Sequence, residues 1–150
     1  MLEALQAFGP AAWFRSSFIL YPLVNALHIL AIGVLVTAAL LMDLRVLGVA
    51  RKLPVETVIA HLRPVAIGAL AVAVLSGAAL FSVQPVDYFA NPAFRIKLLL
   101  LVLALANAAV FTTFRLHREA AGSTGKVLAA ASAGLWISVL VSGRFVGFLA

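Results

Sequence analysis

The sequence predicts an all-α integral membrane protein, a four-helix bundle running up-down-up-down. Three observations predict it. Hydrophobic residues make up 65% of the 150 and charged residues 11%, against roughly 45–50% and about 25% in a soluble domain. A soluble fold of this length could not hide so much apolar surface. The charges gather in short stretches between four long apolar runs. No run alternates apolar with polar residues, so a lipid-facing barrel is excluded.

Taken in chain order, residues 1–14 carry Leu2, Leu5 and Phe8 at helical spacing. Two readings stand for them, a short helix lying in the membrane interface and a frayed terminus. A cleavable signal peptide is not expected, because Glu3 replaces a basic start and Gly9-Pro10 breaks the apolar stretch. The spans follow at about 18–42, 64–86, 94–114 and 127–149, as one transmembrane domain over 1–150. The first two runs are uncharged and long enough to cross about 30 Å of hydrocarbon. The third is completed by Phe94 and the snorkelling stems of Arg95 and Lys97. The fourth continues past Arg144 through Phe145. Asn91-Pro92 reads as the turn that starts the third helix. Residues 121–125, Ala-Gly-Ser-Thr-Gly, read as a flexible turn before the fourth.

The net charge is +6, and there is no cysteine. Without a basic stripe or an aromatic platform, nucleic acid is not an expected partner. The basic residues set orientation instead. The first and third loops hold seven of them, Arg45, Arg51, Lys52, Arg63, Arg115, Arg118 and Lys126, and the other side holds Arg15, Arg95, Lys97 and Arg144. The excess puts those loops in the cytoplasm and both termini in the periplasm.

Helices in lipid pack through small residues. The fourth span carries Ala130, Gly134, Ser138 and Ser142 four apart, and the second Ala69, Ala73 and Gly77. The third has Ala104 and Ala108 with Asn107 alongside, and the first has Gly33 and Thr37. These stripes are expected to form the helix contacts, within the bundle or toward other membrane subunits or further copies of the chain.

Intramembrane polar groups are expensive, so they are the candidate site. His28 and Asn25 lie three apart on one face of the first span. Arg144 lies at similar depth on the fourth. Together they would suit one molecule with a polar head, such as a quinone, a lipid phosphate or a haem edge. The plainer reading of His28 is a hydrogen bond between helices. Arg144 would then snorkel to lipid phosphate. Asp43 and Arg45, at the inner end of the first span, read as a structural rim in which Asp43 can pair with Arg63 or Arg115. Two histidines at one depth would be needed to hold haem b, and His61 and His117 fall at the opposite end from His28. The methionines, Met1 and Met42, make poor copper ligands on their own. No nucleophile motif, zinc motif or phosphate loop is present, so no enzymatic activity is expected.

Leu27-His28-Ile29-Leu30, then Asp43-Leu44-Arg45-Val46-Leu47-Gly48, then Asn91-Pro92-Ala93-Phe94-Arg95-Ile96-Lys97 with Asn107, resemble a family of small bacterial inner-membrane proteins of unknown function. The resemblance spans about residues 18–114 and implies a bacterial inner-membrane location. That family is distantly similar to the copper-resistance-D and cytochrome b561-type four-helix bundles. A histidine often follows the phenylalanine near the end of its third span, where this chain has Thr112. Three functions follow as expectations. The first is a non-catalytic accessory or binding subunit of a membrane complex. The second is a haem b electron carrier using His28, and the third is copper or small-solute transport.

Overall fold

The computed structural model describes residues 17–49, 51–113 and 122–148. Among them it has five helices and no strand: α1 (Leu20–Leu47), α2 (Val55–Phe81), α3 (Pro85–Ala90), α4 (Pro92–Thr113) and α5 (Ser123–Val146). The expected N-terminal helix, with Trp13, lies outside the described residues, as do Arg115, His117 and Arg118. Four of the five are long and apolar enough to cross a membrane. This is the all-α four-helix bundle that the sequence predicts.

With α1 taken to run from top to bottom, α2 and α5 run up and α4 runs down. At 28 residues, α1 is about 42 Å long and outreaches a hydrocarbon core of about 30 Å. Its bottom end is set by Gly48, whose φ of 107° puts it in the left-handed region. Val49 N–H reaches Leu44 O at 2.9 Å and Gly48 N–H reaches Arg45 O at 3.2 Å, a Schellman closure that needs this glycine. Arg45 Nε then donates to Leu53 O, and Arg51 Nε to Gly48 O. Arg45 is therefore a structural pin, fixing the loop that turns α1 into α2.

The second helix begins nine residues earlier than the expected boundary at 64. Pro64 sits inside it. Its missing N–H removes one bond, but it does not end the helix, because membrane helices re-satisfy the freed carbonyl locally. The preceding turns carry Glu56 near the positive helix start, where a carboxylate is favourable. At the top, α3 was not expected from the sequence. Pro85 opens it and is fully buried. Asn91 then joins α3 to α4. Its Oδ1 accepts from Ala93 N–H at 2.9 Å, and its Nδ2 donates to Val146 O at 3.2 Å. Phe81, Tyr88 and Phe94 pack together beside it, Phe81 and Phe94 stacked with centroids 5.5 Å apart.

α1 packs along α2 and α5, and α4 packs along α5, whereas α2 and α4 make no comparable contact. The bundle is thus a square open on one side. Its core is small-residue rich, with Ala38, Ala39, Ala66, Ala69 and Ala104 closing around Leu35, Val36 and Trp136. Most large aliphatic side chains, among them Ile29, Leu30, Leu75, Leu99 and Val102, face outward. Lipid would cover them at no hydrophobic cost.

The packing stripes divide. On α2, Ala69 and Ala73 are buried and Gly77 lies under His28, as expected. Asn107 on α4 donates to Leu128 O across to α5 at 3.2 Å. The α5 expectation is corrected. Its inward residues are Gly125, Ala129, Ser132, Trp136, Val139 and Val146. Gly134 and Ser138 are exposed, and a Cβ built on Gly134 meets nothing within 4 Å. Two residues separate Gly134 from Trp136, about 200° around a helix, so filling the centre with Trp136 turns the small ridge outward. The same correction holds on α1. Gly33 and Thr37 are exposed, and the contact face is Ala31, Leu35, Val36, Ala38 and Ala39.

Candidate functional site

Of the three residues expected to share an upper polar site, only His28 faces the interior. It is half-buried, and its Nδ1 lies 2.9 Å from Ser76 Oγ on α2. The Ser76 hydroxyl has one proton, and Val72 O at 2.6 Å takes it. The histidine therefore donates from Nδ1–H, which leaves the lone pair on Nε2. The ring needs a glycine beneath it: a Cβ on Gly77 would stand 2.9 Å from His28 Cε1. The interhelical hydrogen bond anticipated for His28 is thus present.

Asn25 and Arg144 do not join it. Both are exposed, and neither bonds His28 among the described residues. The Arg144 guanidinium lies 4.7 Å from the centre of the Phe148 ring, a cation–π contact near the helix end. The cation nearest the interior is instead Lys97. Its stem crosses Gly143 on α5, where a built Cβ would meet Cε at 3.4 Å and Nζ at 3.5 Å. Lys97 is half-buried against α5.

His61 is exposed at the lower end of α2, and its Nδ1–H donates to Thr57 O at 2.8 Å. No group of three or more histidine, cysteine or acidic residues gathers among the described residues to hold a metal ion.

A cleft lined by all four long helices lies in the lower half. The open side between α2 and α4 leads into it, and its volume is about 410 Å³. Its deep part is apolar, formed by Leu35, Leu70, Leu105 and Trp136. Its lower mouth is polar, formed by Asp43, Arg63, Asn107, Thr112 and Ser132. Asp43 lies about 35 Å from the start of α1, inside the helix and not beyond it. The helix continues through Leu44, Val46 and Leu47, which carries the carboxyl into the bundle.

Ser132 on α5 lines the cleft beside the Asp43 carboxyl. Asp43 Oδ2 is buried and has no hydrogen-bond partner among the described residues. The expected pairing with Arg63 is not made: Arg63 is exposed at the mouth and forms no ion pair with Asp43. Asp43 is therefore more than a rim pin. The sequence places it at the inner end of the first span, and the apolar residues on its C-terminal side are the sign that the helix continues past it. Thr112, where the family resemblance would have a histidine, lines this same cleft.

Above the membrane spans, the Tyr88 phenol on α3 is packed against Phe81 and Phe94. Burial, with a further contribution from its hydrogen bond to Tyr21, pushes it up to about 12.

Compared with known proteins, the chain matches no family model, no curated protein and no solved structure.

Proposed function

We propose that this chain is a non-catalytic membrane binding subunit that holds one amphiphilic molecule in the lower cleft. The observation that carries this is the cleft itself. Its volume of about 410 Å³ lies within the roughly 300–1,000 Å³ of small-molecule sites. Its apolar depth and polar mouth match a tail and a head. Its open side faces the lipid, so a ligand already dissolved in the bilayer reaches it sideways. The haem alternative receives less support, because His28 lacks a second histidine at its depth among the described residues and its Nδ1 is bound to Ser76. Copper transport gains no ligand cluster among the described residues.

The family resemblance and the basic-residue asymmetry support a bacterial inner membrane, with the bottom of the bundle toward the cytoplasm and both termini periplasmic. The outward ridge of Ala130, Gly134 and Ser138 supplies a smooth face on which another subunit or a second copy could pack.

Trp136 lines the cleft, and the only other tryptophan is Trp13. The Trp13→Phe variant in nanodiscs should therefore show saturable quenching of Trp136 by a brominated single-chain amphiphile, at one molecule per chain. Filling the cleft with Ala108→Phe should abolish the saturable phase. Quenching that rises without saturation, and equally in both variants, would mean ordinary partition into lipid and would overturn the proposal.

A further inference from the structure

We infer that the cleft selects an amphiphile with a cationic, hydrogen-bond-donating head, of the alkylammonium class, docked on Asp43. The inference rests on the binding role proposed above and names the ligand class.

The polar mouth holds one buried acceptor that its described neighbours leave unanswered. Asp43 is the sole acidic side chain in the four described spans below the top of the bundle and above the first turn of α2. Its Oδ2 is buried without a hydrogen-bond partner among the described residues, and a buried carboxylate oxygen left unmatched is costly. The neighbouring groups do not supply the missing donor. The Ser132 hydroxyl lies beside the same carboxyl but does not bond Oδ2. The Asn107 amide donates across to Leu128 O at 3.2 Å and makes no bond to Asp43 Oδ2. Arg63 stays exposed and forms no ion pair there. A head group bearing N–H donors and a positive charge answers the Asp43 oxygen, and a carboxylate head cannot. Leu35, Leu70, Leu105 and Trp136 then receive the tail.

The test compares three probes of one chain length, decylammonium, decanol and decanoate. Each is titrated by competition against the brominated amphiphile in zwitterionic nanodiscs, with the Trp13→Phe protein. A Trp136→Phe protein, reporting from Trp13, corrects for bulk partition. Decylammonium should bind tightest, ahead of decanoate by about tenfold or more, the contribution of one charge-assisted hydrogen bond. In Asp43→Asn that preference should collapse while decanol binding persists. Equal binding of ammonium and carboxylate, or a preference unchanged in Asp43→Asn, would overturn the head-group inference and leave the cleft as a binding site. Absence of saturable displacement by every probe would overturn the binding role as well. The wild-type ranking decides the matter even where Asp43→Asn fails to fold.

Discussion

The closest interhelical fit in the upper half is His28 over Gly77, and Gly77→Ala tests it. The added Cβ would stand 2.9 Å from His28 Cε1, 3.5 Å from Nδ1 and 3.8 Å from Nε2. Carbon atoms pack best at about 3.5–4.0 Å, so the ring must retreat by about 0.6–1 Å. Ser76 is the next residue on α2, and retreat from Gly77 also stretches the 2.9 Å bond to its hydroxyl. Overpacking typically costs about 1–3 kcal/mol, and an interhelical hydrogen bond in a membrane contributes about 0.6 kcal/mol. Alanine is otherwise the better helix former, by about 1 kcal/mol. The assay is a double-mutant cycle with His28→Ala, read by reversible unfolding in mixed micelles. Gly77→Ala should destabilise the wild type but be neutral or stabilising when His28 is alanine, a coupling of about 1–3 kcal/mol. An equal effect in both backgrounds would refute the contact.

Three further outcomes follow from the same structure. On α5, Gly134→Leu should change the stability of the monomer in detergent by less than about 0.5 kcal/mol, as an exposed substitution, whereas Ala129→Leu, at a position 1% exposed, should cost about 1–3 kcal/mol; the reverse order would restore the Gly134 ridge as the inner face. For Tyr88, ultraviolet titration should place phenol ionisation near pH 12. Because the folded value is raised, its contribution to stability is intact below pH 10 and is lost as pH rises from about 10 to about 12; titration near pH 10 with the fold intact would contradict its burial. For the proposed orientation, a cysteine at Ser123 should resist a membrane-impermeant reagent added outside intact cells, and efficient labelling would invert the topology.

Composition and uncharged runs were enough to read the four spans, because a helix is the economical way to satisfy a backbone in lipid. Which face of each helix turns inward was not readable. In water, apolar periodicity marks the core; in lipid both faces are apolar, and the pattern loses its meaning. Small residues were the remaining guide. They worked where a bulky partner needed room, as Gly77 beneath His28, and failed on α5, where Trp136 rather than Gly134 fills the centre. His28 was legible as an interhelical hydrogen bond, but its partner Ser76 was not, because rotation about α2 decides it. Pro64 suggested a boundary that the helix runs through, since the soluble-protein rule for proline weakens in the membrane. Asp43 reads as a rim residue because it ends an uncharged run. Its place in the cleft depends on one more turn of α1, ended by Gly48.

The central claim is that the lower cleft is a binding site for one amphiphile. Native mass spectrometry of the chain released from its own membrane tests it most directly. One bound molecule of defined mass per chain is expected, retained through detergent exchange and absent from Ala108→Phe. Interchangeable bulk lipid alone, carried equally by both proteins, would contradict it.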